Sequence, residues 1–426
     1  MANAFSKEEI VAFENMMEGF NDALVVSNNV SVYKTDSQQM ERASDTIWRP
    51  QPYIAQSFDG TDQTSNFKDQ TQLSVPATLG FGKSVPWVLT AKELRDSLQE
   101  GRITASAHQK LASDINVAVT NVAALQGTLV VKRTVAATGF DDIALCEAIM
   151  NEQGVPMDNR WLGLSTRDYN GAASNLAGRG TMNEKPTTAY ERALINGNVA
   201  NFGILKMDYT PRLAAAAGVT VTINDATAAD RRYVPAATST AATGEVSNVD
   251  NRYMNLTIGV SSGTVKVGDV FTIAGVNAVH HITKADTGQS KTFTIKAIVS
   301  GAGGAGVITI SPPIIVADGS TDAEKQYANV TTTPADGAAL TFLNTVAAYQ
   351  NPFWHRDAIE LLPGRYAVPS DAGAAVLRAS TDQGIEVVLQ KFYDINTMKT
   401  KFRADVLFGV CMLQPEMAGR ILFSQS

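Results

Sequence analysis

The residue types that carry chemistry are few in this chain, and their spacing does not bring them together. There are four histidines. His280 and His281 are neighbours, so on a strand their rings face opposite sides and cannot share one ion; the pair reads as a turn with two exposed imidazoles. His108 and His355 have no acidic or cysteine partner at ligand spacing. The only cysteines, Cys146 and Cys411, sit in the apolar contexts DIALCEAIM and FGVCMLQ and read as buried thiols. The run GAGGAG at 301–306 lies between the strand-like IKAIVS and VITISPP. A phosphate-cradling loop needs a helix after it, so this run reads as a hairpin loop. Asp141, Asp142 and Glu147 come closest to an acid cluster, but the first two fall in the opening turn of a helix, where carboxylates offset the dipole. These patterns predict no catalytic residues, no cofactor and no metal site.

The elements that would position any site are more informative. A chain of 426 residues with 44% hydrophobic content buries enough core for two or three domains. A net charge of -7 argues against a surface that grips nucleic acid, which needs clustered Lys and Arg. No apolar run approaches membrane-spanning length, and the acidic start MANAFSKEEIVAFENMMEGF lacks a secretion signal's cationic region, so cytoplasmic synthesis is expected.

Between residues 6 and 26, Ile10, Phe13, Met17, Phe20 and Leu24 recur at helical spacing beside Glu8, Glu9, Glu14, Glu18 and Asp22, which predicts an acidic amphipathic helix. The polar SNNVSVYKTDSQQMERAS that follows suits an extended arm. Residues 56–72, rich in Asp, Gln, Thr and Ser, predict a long two-stranded hairpin projecting into solvent. Thr90 and Glu93 stand at capping-box spacing ahead of Leu94, Leu98, Leu111, Ile115, Val119, Val122 and Leu125. A helix broken or bent at Gly101 and ending near Gly127 is expected.

Residues 141–210 mix helices and strands, with DDIALCEAIMNEQG, NGAASNLAG and TAYERALINGNVANFG read as helical and RWLGLST as a strand. From about 212 to 344, short alternating strands such as GVTVTIND, YMNLTIGV, DVFTIAG and GVITISPP predict a small β-barrel inserted into an α+β fold. On these features alone, a tail-tube or other structural virion protein remains an alternative, as does a hydrolase carrying an accessory β-domain.

Five segments carry a resemblance: MERASDTIWRPQ from Met40, AKELRDSLQEGRITASAHQKLASDINVAV from Ala91, VDNRYMNLTIGVSSGTVKVGDVFTIAGV from Val249, EKQYANVTTTPADGAA from Glu324 and NPFWHRDAIELL from Asn351. In this order they resemble the coat proteins of short-tailed double-stranded DNA phages like the Salmonella phage P-twenty-two. The resemblance implies an α+β Hong Kong 97-like capsid fold with an inserted all-β barrel. It implies an N-terminal arm and start of a peripheral domain (1–55), an extended loop (56–80), a spine helix with peripheral domain (81–140), and an axial domain in two parts (141–211 and 345–400). The inserted barrel would occupy 212–344, with C-terminal strands over 401–426 returning to the peripheral domain.

The resemblance further implies a virion shell of pentamers and hexamers, built through a scaffolding-dependent procapsid, with a portal protein at one vertex. Such a shell encloses DNA without sequence-specific binding and has no membrane. Glu14 and Glu18 are the candidate scaffolding contacts. In the loop RYVPAATSTAATGEVSNVDNR, Glu245, Asp250 and Arg252 are the candidate inter-capsomer residues. Some relatives cross-link a Lys to an Asn; Lys68 lies on the extended loop, but nothing in the sequence supplies the matching environment.

Overall fold

The computed structural model describes residues 5–33, 46–52, 54–64, 66–68, 70–90, 92–93, 97–178, 195, 198–216, 218–318, 321–368 and 373–426. The chain divides into two compact units. One comprises residues 1–47, 76–120 and 359–411; the other comprises 48–75, 121–358 and 412–426.

The first unit opens with helix α1, Lys7–Ala23, which buries Phe13, Met16, Met17, Phe20 and, just past its end, Leu24. Ile10, expected on this face, is exposed, because buried Glu9 takes the place one turn ahead of Phe13. Glu9 closes a capping box with Ser6, with bonds of 2.7 and 3.2 Å, and its carboxylate meets the Lys391 ammonium at 2.6 Å. At the other end, Asn116 Nδ2 donates to the Ala23 carbonyl at 2.8 Å, and its Oδ1 accepts from the Val26 amide at 3.3 Å.

Asn116 belongs to helix α2, Ser97–Gln126, a continuous element of 30 residues and about 45 Å at 1.5 Å per residue. The expected break at Gly101 does not occur. One glycine costs only about 1 kcal/mol relative to alanine, and the packed stripe of Leu111, Ala112, Ile115 and Val119 outweighs that. Thr90 and Glu93 do form the reciprocal bonds of a capping box, while residues 94–96 lie outside the described residues.

The sheet of this unit is ordered Ser31–Val32, Ile359–Pro363, Lys399–Met412, Glu386–Asp394, Ala375–Ser380, with Phe81–Thr90 also on Lys399–Met412. Register runs without a shift from Lys399 opposite Thr90 to Phe408 opposite Phe81. The strands within residues 359–400 thus share one sheet with Phe81–Thr90. The C-terminal strand Ala418–Leu422 lies in the second unit. Alternation identifies a strand but carries no information about its partner.

In the second unit a six-stranded sheet has the order Leu129–Lys132, Ala418–Leu422, Asn351–His355, Arg160–Ser165, Phe202–Met207, Asn198–Val199. Helices α3, Phe140–Glu152, and α4, Thr166–Gly178, bury Ile143, Cys146, Met150, Tyr169 and Ala173 in the same core as Leu162, Phe202 and Phe353. The helix expected over 188–203 lies partly outside the described residues. Its end is instead a tight hairpin, Asn198–Val199 against Phe202–Met207, turned by Ala200 and Asn201 at positive φ.

Between the two halves of this sheet the chain forms a closed barrel: Thr220–Ile223, Met254–Ser262, Gly306–Ser311, Asp286–Ile298, Val270–Val279, Ala339–Phe342. Alternation fills its interior with Val221, Leu256, Ile258, Phe271, Ile273, Phe293, Ile295, Ile308 and Ile310. The glycine run 301–306 is, as read, the connection between two antiparallel strands. The expected long hairpin at 56–72 is corrected. Strand pairing is confined to Thr46–Pro50 and Ser74–Thr78, the Gln51 amide donates to the Leu73 carbonyl at 2.8 Å, and the described residues between form no strand. Asp62, Gln63 and Asn66 bond locally instead: Asp62 accepts from the Thr64 amide and hydroxyl at 3.1 and 2.6 Å, and Gln63 Nε2 donates to the Gly60 carbonyl at 2.7 Å.

Candidate functional site

The acids that might have suggested catalysis do not converge. Asp142 is buried at the start of α3, where its carboxylate accepts from the Thr138 amide at 2.6 Å and meets Arg133 at 2.6 Å. Glu147 is engaged by Asn201 at 2.8 Å. Cys146 and Cys411 are both buried, and burial pushes the Cys146 thiol far above its usual range. No group of three His, Cys, Asp or Glu side chains among the described residues has metal-binding geometry.

The surface features are more distinctive. Glu14 and Glu18 lie one helical turn apart on the exposed face of α1, opposite the buried Phe13, Met17 and Phe20. In the second unit, Thr238–Thr240 and Val246–Asn248 form a two-stranded ribbon, exposed along both strands, with Glu245 exposed in its turn.

The structure separates the three candidate loop residues. Asp250 and Arg252 lie at the ribbon's base, paired to each other at 2.6 and 2.8 Å, and Arg252 Nη1 donates to the Met412 carbonyl at 2.8 Å. Asn251 between them receives the Tyr233 hydroxyl and the Ala236 amide, both at 3.0 Å, and donates to the carbonyls of Ala236 and Val249. Burial, reinforced by the Asp250 charge, raises the Tyr233 hydroxyl above its usual range. The base is thus a fixed hydrogen-bonded knot, and Glu245 alone of the three stands free of it.

Beneath this knot lies a buried polar cluster that sequence reasoning missed. Lys291, on the barrel strand Asp286–Ile298, bonds the Glu416 carboxylate and, at 3.0 Å, Gln153 Oε1 at the end of α3. Glu416 also accepts from Asn329 at 3.2 Å and faces His281 Nε2 at 3.3 Å. His281 is therefore not the exposed imidazole expected; its side chain is 12% exposed, and burial lowers its pKa to about 4 despite the Glu416 charge. Burial alone would raise Glu416, but Lys291 and His281 together hold it below the usual carboxylate range. Arg420 extends the same theme, bonding Gln350 and, at 2.7 Å, Thr294. The one signal in the sequence was Lys291 itself, a charge where the alternation of SKTFTIKAI wants an inward side chain.

Lys68 of the extended loop pairs with Asp322 at 2.7 Å.

A family described as "P22 coat protein - gene protein 5" matches residues 1–424. Among solved structures, one of Mycobacterium phage Che8 aligns at 12% identity over 95% of this chain and 92% of that chain, with a TM-score of 0.42. The CUS-3 coat protein I-domain aligns at 40% identity over 31% of this chain and 99% of that chain, with a TM-score of 0.23. The capsid structure of the Cyanophage P-SCSP1u aligns at 10% identity over 93% and 86%, with a TM-score of 0.39. The family match over nearly the whole chain, on a protein that sets a closed β-barrel within an α+β frame, means that this chain belongs to the P22 coat protein family and is a major capsid protein of a phage head.

Proposed function

We propose that the protein assembles as pentamers and hexamers into an icosahedral head that encloses double-stranded DNA, by way of a scaffolding-dependent procapsid that expands on maturation. The observation that carries this reading is the family match over residues 1–424. In this reading residues 212–344 form the insertion domain and the segment around 56–80 reaches a neighbouring subunit. The exposed Glu14 and Glu18 meet a basic surface on the scaffolding protein, whose charge complementarity sets on-rate and register more than affinity. The ribbon carrying Glu245 touches the next capsomer, while Asp250 and Arg252 hold its base. A portal protein occupies one vertex. The tail-tube alternative has no observation in its favour.

Negative-stain electron microscopy of the chain, expressed with and without a scaffolding protein encoded beside it, tests the proposal. Uniform closed shells only when the scaffold is present are expected. Monomers or open tubes under both conditions would overturn it.

A further inference from the structure

Helix α1 is joined to the rest of its unit by three contacts that its apolar stripe does not require. At its start Glu9, only 6% exposed, meets the Lys391 ammonium with both carboxylate oxygens, at 2.6 and 2.8 Å. That ammonium lies 5.8 Å from the ring centres of Phe5, just ahead of α1, and of Phe402, the cross-strand neighbour of Lys391. Phe402 in turn stacks on Trp87 at 5.6 Å. Midway along α1, a Cβ at Gly19 would come within 3.0 Å of the His108 ring, so glycine lets that ring lie against the helix. At its end, Asn116 bonds both the Ala23 carbonyl and the Val26 amide.

The stripe alone fixes the position of α1 only weakly. Moved along its axis by one turn, Ile10, Phe13, Met17 and Phe20 would fall close to the places of Phe13, Met17, Phe20 and Leu24. Packed cores accept apolar side chains of about the right size, so apolar contact discriminates poorly between the two positions. The ion pair discriminates well. A shift of one turn, about 5.4 Å, would part Glu9 from Lys391 and leave two charges among apolar and aromatic neighbours without their partners. Among the described residues, Glu9 is the one acid paired with Lys391. A buried ion pair adds little net stability over an apolar replacement, and its best-attested use is to specify register.

We propose that Lys391 is a positioning residue for the scaffolding contact: by engaging Glu9 it holds α1 in one register, so that Glu14 and Glu18 stand at fixed places before a basic partner surface. This rests on the scaffolding reading above. Lys391 itself is turned away from any partner, with a side chain 14% exposed beneath Glu9 and Phe5. Its effect is exerted through the helix. Pairing between close charges falls with distance, so carrying both acids about 5.4 Å along the surface changes which cations they meet.

Glu9→Gln combined with Lys391→Met in the full-length chain separates this role from plain stabilisation. The glutamine retains the side-chain acceptor of the capping box with Ser6, and the methionine keeps an unbranched stem against Phe402. The denaturation midpoint of the subunit is expected to stay near that of the unmodified chain. Hydrogen exchange of the α1 amides is expected to quicken at least about tenfold, a local opening that leaves the buried stretch 111–122 of α2 unchanged. Closed shells formed with the scaffolding protein, counted on micrographs, are expected to fall severalfold. Lys391→Arg, which keeps a cation able to pair with Glu9 and lie on the rings, is expected to behave as the unmodified chain in all three measurements. Unchanged exchange in α1, or faster exchange with a normal yield of shells, overturns the positioning role. A lowered midpoint with exchange quickened equally in α1 and α2 overturns it as well, since the pair would then be a general stabilising contact. The scaffolding reading fails separately: normal shells from Glu14→Gln with Glu18→Gln would remove those acids from the contact, while exchange in α1 would still report whether Lys391 fixes the helix.

Discussion

Lys291, Glu416 and His281 show how much the interior of this protein depends on a few polar side chains. A buried ion pair is rarely worth more than an apolar replacement, but removing one partner leaves an uncompensated charge. Lys291→Met is therefore expected to cost about 3–5 kcal/mol, and Lys291→Met combined with Glu416→Leu to recover much of that, both read from denaturant unfolding of the soluble subunit. The cluster also sets an acid limit. Folding holds His281 neutral down to about pH 4, whereas the unfolded chain protonates it near 6.5, so acidification favours unfolding. Glu416, held below the usual range, acts in the same direction as it protonates. Stability should be intact above pH 6.5 and fall between 6.5 and 4 by about 3 kcal/mol, at about 1.4 kcal/mol per unit. The slope in that window should flatten in His281→Gln; a slope unchanged from the unmodified protein would show that other groups govern acid unfolding.

At the scale of elements, α1 divides its work between two faces. Phe20, fully buried, belongs to the packing face, and Phe20→Ala should cost about 3–5 kcal/mol and lower the yield of folded subunit. Glu14→Gln with Glu18→Gln alters only the exposed face and should shift stability by less than about 0.5 kcal/mol. The same pair should nonetheless reduce scaffold-dependent shell formation severalfold, counted on micrographs; normal assembly would remove these residues from the scaffolding contact. Most of these elements were legible in the sequence. The period of Phe13, Met17 and Phe20 located α1, and strict alternation located the barrel strands. What misled was local chemistry with more than one outcome: Gly101 as a helix breaker, and the Asp- and Ser-rich 56–72 as strand where short side-chain bonds to backbone prevail.

For the whole molecule, a net charge of -7 and membership of a coat-protein family favour a shell that contains its genome without gripping it. Purified subunits should accordingly show no tight, salt-sensitive DNA binding in a filter or gel-shift assay between about 50 and 200 mM salt, the range over which phosphate contacts weaken binding most visibly. Steep salt dependence with high affinity would mean that a local basic surface overrides the overall charge.

The sequence by itself determined what depends on neighbours along the chain: the acidic helix, the helical stretch from Leu111 to Leu125, the barrel's alternation, the burial of both cysteines and, through five ordered segments, the family. Only the tertiary structure decided what depends on residues far apart. Asp250 and Arg252 are joined to each other, and Arg252 also donates to the carbonyl of Met412, 160 residues beyond it. His281 meets Glu416 and Lys291 in a buried cluster with no local signature. The last strand joins Leu129 and Asn351 rather than the sheet that precedes it. Periodicity records which face of an element is apolar, but the partner on that face is chosen by the energy of the whole packed chain.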